Sequence, residues 1–213
     1  KVKRVYIVLI KAHTGLGAVA RHITGYPYTH IAVSLDRSMT DFVSFSRRFH
    51  NFPFDAGFTH EYRHYYAFGE HRYFCAKIFS LPVTDQNYSA ITEYISECEH
   101  DSRRIFNLFS MATMPILGGF RIYRADNCMS FAAKIAELSG CVRMSKPYWR
   151  WSVRELDELL SDYACFEGKL VRGENFTDDE YMKSFSPLKY LTDMIKLISR
   201  LTFRAIFRRN RLM

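Results

Sequence analysis

The stretch that most restricts how this chain can fold is Asn127-Cys128-Met129-Ser130-Phe131-Ala132-Ala133-Lys134-Ile135-Ala136-Glu137-Leu138. Phe131, Ala132, Ile135 and Leu138 recur at helical spacing and predict a helix with one buried face. Asp126 or Asn127 stands where a cap can satisfy the free N–H groups of the first turn. Cys128 therefore sits at a helix mouth, where the partial positive charge favours thiolate over thiol. Such a cysteine is a candidate nucleophile if an imidazole comes near it. The plainer reading is a small buried cysteine that packs on the same helix.

A second segment supplies an imidazole. Tyr26-Pro27-Tyr28-Thr29-His30-Ile31-Ala32-Val33-Ser34-Leu35-Asp36 has a turn signal and then a period-2 run. His30, Ala32 and Ser34 share one face of the predicted strand, and Ile31, Val33 and Leu35 the other. A histidine at the start of a central strand, with a cysteine on a helix packed against that sheet, is the arrangement a Cys/His hydrolase requires.

Tyr-Thr-His-Ile-Ala-Val-Ser-Leu-Asp, followed about a hundred residues later by Asn-Cys-Met-Ser-Phe-Ala-Ala-Lys-Ile, resembles the circularly permuted branch of the NlpC/P60 papain-like superfamily. That branch includes YiiX-like bacterial proteins and the lecithin:retinol acyltransferase group, and its histidine strand precedes the nucleophile helix. The resemblance covers roughly residues 5 to 170. It implies an α+β fold in which an antiparallel sheet packs against the nucleophile helix. It further implies that Cys128 attacks an acyl carbon, that His30 is its base, and that the backbone N–H of Cys128 faces the oxyanion. In the family a third polar group on the strand after the histidine strand orients the imidazole, and the matching position here is Ser44. The family's usual tyrosine followed by Asp or Asn corresponds to Phe106-Asn107, so the hydroxyl is missing, and Tyr123 is a substitute candidate. Tyr28, Asn107 and Tyr123 are the candidates for a substrate cleft.

Composition narrows the rest. With 213 residues, 48% of them hydrophobic, the chain can bury one good core. The 18 Phe and 14 Tyr exceed what a minimal core needs, so some are expected to line a cleft or face lipid. Cysteines 75, 98, 128, 141 and 165 are odd in number, widely spaced and lack a CxxC pair, which argues against a disulfide framework, a zinc site or any other metal. A reducing, cytoplasmic compartment fits, and no cofactor is implied. Lys1-Val2-Lys3-Arg4 followed by Val5 to Ile10 reads as a buried strand and not as a secretory signal. Because the chain does not start with methionine, a removed segment stays open.

Along the chain, Leu16, Val19, Ala20 and Ile23 predict an amphipathic helix that Thr14 could cap, and Asp41 to Arg48 a strand paired with the histidine strand. Residues 47 to 73 interleave basic and aromatic side chains without regular period. A nucleic-acid surface is one reading, but a substrate-cleft loop explains the same residues and no nucleic-acid motif accompanies them. Phe74 to Leu81 reads as a strand stopped by Pro82, and Asn87 to His100 as a helix begun at Thr84 with Cys98 on its buried side. Arg103 to Met114 reads as a helix ended by Pro115 and Gly118-Gly119. Ser152 and Glu155 form a capping box for another helix, and Phe166 to Val171 a closing strand.

Residues 1–171 are thus read as one domain, 172–186 as a polar linker, and 187–213 as a basic amphipathic helix. Leu188, Leu191, Ile195, Ile198, Phe203 and Ile206 form its apolar stripe, and Lys189, Lys196, Arg200, Arg204, Arg208, Arg209 and Arg211 oppose only Asp193. Six of the chain's eight net positive charges lie there. Phe203, Arg204, Ile206 and Arg208 are candidate contacts to an anionic membrane surface or a partner; the alternatives are docking on its own domain or on a second copy. Oligomeric state is not legible. Three functional readings follow: a cysteine hydrolase acting through a thioester on a small peptide or other amide, an acyltransferase or acyl hydrolase of the lecithin:retinol type acting on an acyl-lipid at a membrane, and an inactive binding module of the same fold.

Overall fold

The computed structural model describes residues 2–13, 15–173 and 180–208. The first half contains β1 (Lys3–Lys11), α1 (Gly15–Thr24), β2 (His30–Ser34), β3 (Asp41–Phe49), β4 (Phe52–Tyr62), α2 (Arg63–Tyr66), β5 (Tyr73–Val83) and α3 (Asp85–His100). The second half contains β6 (Ile105–Phe106), α4 (Leu108–Leu117), β7 (Ala125–Asp126), α5 (Cys128–Ser139), α6 (Val153–Leu159), β8 (Ala164–Val171) and α7 (Pro187–Phe207). Among the described residues the fold is mixed α+β. Six strands form one antiparallel sheet in the order β4-β3-β2-β1-β5-β8, and β6 pairs with β7 in a short parallel ladder.

The unbroken apolar run of β1 is explained by burial on both faces of the sheet. Val5, Ile7 and Leu9 join a core completed by Phe131, Ala132 and Ile135 of α5 and by Ile91 and Ile95 of α3, where Cys98 is also buried. Tyr6, Val8 and Ile10 face the other way, with Phe42, Phe74 and Ile78, beneath Tyr66 and Ala67. Thr84 caps α3, accepting from the N–H of Asn87, and Ser152 and Glu155 cap α6 reciprocally.

Three sequence expectations are corrected. Residues 52–62 are not an irregular loop: they pair with β3 through a tight hairpin in which Phe49 faces Phe52. Phe52, Phe54 and Phe58 do carry a period of two, but Pro53, Asp55 and Gly57 between them obscure it. Pro82 does not stop β5, because β8 pairs only as far as Phe79 and beyond that point the missing proline N–H breaks no ladder bond. The apolar helix after α3 begins at Leu108 with Asn107 as its cap, and Pro115 lies inside its last turn.

Outside the core, Val19 and Ile23 of α1 are exposed, so the face read as its apolar side is turned outward there. Thr14 and the side chain of Leu16 lie outside the described residues, as do 174–179 of the expected linker and Arg209 and Arg211. The described end of that linker is more than a polar excursion. Tyr181 is buried, its ring stacks on Tyr65 at 3.9 Å, and its carbonyl accepts the His50 N–H at 2.8 Å.

α7 begins at Ser186, whose side chain accepts from the N–H of Lys189. It docks through Leu197 and Leu201, packed with Ile105, Ile122 and Ala125. The apolar residues expected to mark its functional face, Leu188, Leu191, Ile195, Ile198, Phe203 and Ile206, are all exposed. Among the described residues no helix is long and apolar enough to cross a membrane.

Candidate active site

The site starts from the local chemistry of the α5 N-terminus. The Asn127 side chain accepts the Ser130 N–H at 3.0 Å, and the Ser130 hydroxyl accepts the Asn127 N–H at 3.0 Å. That reciprocal cap fixes where the helix begins. Cys128 occupies its first position, where an α-helix directs the main-chain N–H outward without an intrahelical partner. One residue upstream of the cap, the buried Asp126 carboxylate accepts from Arg104 Nη1 at 2.9 Å and from the Ser130 hydroxyl at 3.2 Å. Burial pushes Asp126 above the usual carboxylate range, against the pull of Arg104. Replacing the cap, Asn127→Ala, is expected to lower stability by about 1 kcal/mol, read as a fall in the thermal or denaturant midpoint.

The imidazole comes from the middle of the sheet. His30 opens β2, between β1 and β3, and the preceding Thr29 N–H is tied to the Ile10 carbonyl at 3.0 Å. His30 Nε2 lies 2.8 Å from Oε2 of Glu61, the penultimate residue of β4. Glu61 is in turn held by the Tyr66 hydroxyl, which donates to the same oxygen at 2.6 Å, and by a hydrogen bond from Ser46. The Cys128 side chain hydrogen-bonds the His30 ring. Because Nε2 is engaged by Glu61, Nδ1 is the ring nitrogen left for the sulfur. Cys128, His30 and Glu61 therefore form a relay that joins a helix mouth to two strands.

Electrostatics favour the charged forms of His30 and Glu61. Burial alone would pull the His30 pKa down, but the Glu61 charge and the Cys128 hydrogen bond outweigh it, and His30 is raised above its ordinary value. Burial would likewise raise Glu61, but the His30 charge and the hydrogen bonds of His30, Tyr66 and Ser46 hold it below the ordinary carboxylate value. Burial and the neighbouring carboxylate push the Tyr66 hydroxyl well up, so it stays a donor. At neutral pH the pair is imidazolium and carboxylate.

The other expected site residues are placed differently. Ser44 does not orient the imidazole: its hydroxyl is fully buried and donates to the Ile31 carbonyl at 3.2 Å, a contact within reach of so short a side chain. The orienting group comes from one strand further along the sheet. Asn107 is the cap of α4, accepting the Ser110 N–H and donating to the Phe120 carbonyl, and is buried in that role. Tyr28 donates to Glu167 at 2.7 Å, and burial with that carboxylate raises its pKa; it fastens the loop that launches His30. Tyr123 turns toward α7, where its ring lies beside the guanidiniums of Arg124 and Arg208. Arg204, expected at a membrane surface, instead donates to the carbonyls of Arg103, Tyr123 and Arg124. Glu61 is a site residue that sequence reasoning does not reach: the phenylalanine alternation marks β4 as a strand but places Glu61 on its other face.

Among the described residues no group of three His, Cys, Asp or Glu side chains is arranged to hold a metal ion. Comparison of the chain with protein-family models, with characterised proteins and with solved structures finds no match.

Proposed function

We propose that the protein is a cysteine hydrolase of the permuted papain-like NlpC/P60 type that acts through a thioester on an amide or peptide-like substrate. The observation that carries this reading is the relay of Cys128, His30 and Glu61 at the mouth of a capped helix. The sulfur, having given its proton to His30, attacks the acyl carbon, and the carbonyl oxygen gains its charge opposite the outward N–H of Cys128. The imidazolium then protonates the departing amine as the C–N bond breaks, leaving an acyl thioester on Cys128. Water, losing a proton to His30, adds to the thioester and releases the acid and the thiol. Cys128 keeps only 6% of its surface open, which suits a small or extended acyl group better than the face of a folded protein.

A second reading, hydrolysis or transfer of a lipid acyl group at a membrane surface, is favoured by the exposed apolar stripe on α7. One experiment addresses both. An acyl electrophile, in peptide amide and fatty acyl forms, is expected to label Cys128 selectively and to fail with His30→Ala; whichever form turns over names the substrate class. Labelling that ignores the His30 substitution, or that spreads evenly over Cys75, Cys141 and Cys165, removes catalysis and leaves a binding module of the same fold.

A further inference from the structure

Between α7 and the segments that flank β6 and β7 lies a groove of about 470 Å³ that takes no part in the thiol chemistry. Arg103, Arg124, Arg200, Arg204 and Arg208 line it. The carboxylate that meets them is Asp101, 3.1 Å from Arg103 and 3.3 Å from Arg124. Arg204 forms the floor, donating to the carbonyls of Arg103 at 2.7 Å, Arg124 at 2.8 Å and Tyr123 at 3.3 Å. The Tyr123 ring lies beside two of the cations, with the Arg124 and Arg208 guanidiniums 5.4 and 5.6 Å from its centre.

Two further observations show that this crowding is built and not a casual meeting of surface side chains. Arg124 holds a left-handed backbone, φ 51°, which a residue with a side chain adopts only when its surroundings insist. That conformation presents its carbonyl to Arg204 while its side chain reaches Asp101. Burial, followed by the like charges of Arg200, Arg208 and Arg124, depresses the Arg204 pKa, so the cations repel one another in the free protein.

We propose that the groove binds a phosphoryl group. A phosphate monoester carries close to two negative charges and three terminal oxygens, which suit several converging guanidinium forks better than a single carboxylate does. Its charge would relieve the repulsion that Asp101 only partly offsets. The phosphoryl group can belong to a lipid headgroup, reached from the exposed Phe203 side of the same helix, or to a soluble phosphate monoester.

The test uses the whole chain and two probes. Vesicles of phosphatidylcholine with and without phosphatidic acid are assayed by co-sedimentation, and inorganic phosphate and pyrophosphate by calorimetry. The wild-type protein and its Cys128→Ala variant are expected to bind at least one phosphoryl probe, with affinity falling as salt rises. Arg200→Glu with Arg208→Glu, neither of which holds the groove floor, is expected to weaken binding by about tenfold or more. Arg103→Gln, at an exposed side chain, is the second variant should the first not fold. Binding to phosphatidic acid vesicles alone assigns a lipid headgroup, and binding to soluble phosphate assigns a free monoester. Equal binding to pure phosphatidylcholine, binding unchanged in the variants, or no binding of either probe overturns the proposal.

Discussion

Glu61→Gln is expected to lower kcat/KM of the thiol reaction by about two to four orders of magnitude, the scale on which a triad fails when its orienting carboxylate becomes an amide. The amide is nearly isosteric and can still accept from Tyr66, so the geometry survives while the charge goes. With that charge absent, burial acts on His30 against the Cys128 contact alone, and its pKa falls from the raised value. The ring protons of His30, followed by NMR across pH, report this directly: the imidazole is expected to titrate at lower pH in the variant than in the wild type. An unshifted titration would show that Glu61 does not govern the imidazole.

The same pair makes stability depend on pH, and the signs follow from the two shifts. The lowered Glu61 contributes stability that is present above its ordinary value of 4.5 and is lost as pH falls through its folded value. The raised His30 contributes stability that is present below its ordinary value of 6.5 and is lost as pH rises through its folded value. The pair is therefore fully effective between those two values. Comparing melting midpoints of wild type and Glu61→Gln over pH 4 to 9 is expected to show a gap that is widest in that window and narrows toward both ends.

Phe131→Ala is expected to be the most destabilising single change near the site, at about 3–5 kcal/mol. Phe131 is fully buried one turn below Cys128, with the rings of Phe45, Phe58 and Tyr94 at 5.6, 5.9 and 5.8 Å. Removing its ring leaves a void among three aromatics at the point where α5 is keyed to the sheet, and a sheet interior collapses poorly around such a hole. A fall in melting midpoint of roughly 10 °C accompanies that loss for a domain of this size. Because the same ring sets the seat of the helix mouth, labelling of Cys128 is expected to slow in the folded fraction as well. Phe131→Leu, which keeps most of the volume, separates the two effects. A midpoint that barely moves in the alanine variant would mean that α5 is held elsewhere.

What the sequence disclosed, and what it withheld, follows from the range of the forces involved. The Cys128 helix and the His30 strand were legible because their signals are local: a cap, a period, a turn. The fold class was legible for the same reason, since β1, β2, β3, β5 and β8 each carry their own pattern. Glu61 was not, because its role depends on β4 folding back on β3 and no residue near it in sequence marks it as buried. Followed by Tyr62 and Arg63, it looks like any surface acid at a strand end. Ser44 misled because a position on a strand fixes a face but not a partner, and its hydroxyl reaches a main-chain oxygen before any ring nitrogen. The α7 stripe was visible as a pattern, whereas its orientation was set by Leu197 and Leu201 finding Ile105, Ile122 and Ala125.

The three members of the relay come from widely separated parts of the chain, His30 and Glu61 being 31 positions apart and Cys128 far beyond both. A chain still emerging from synthesis, or one partly denatured, therefore carries only a set of ordinary thiols, with neither the imidazole nor the carboxylate at hand. On the proposed function, reactivity would arrive with tertiary structure and leave with it, which would shield the unfinished polypeptide and its neighbours from premature acylation. The expected selective labelling of one cysteine among five would then double as a gauge of native content, usable during refolding without any knowledge of the natural substrate.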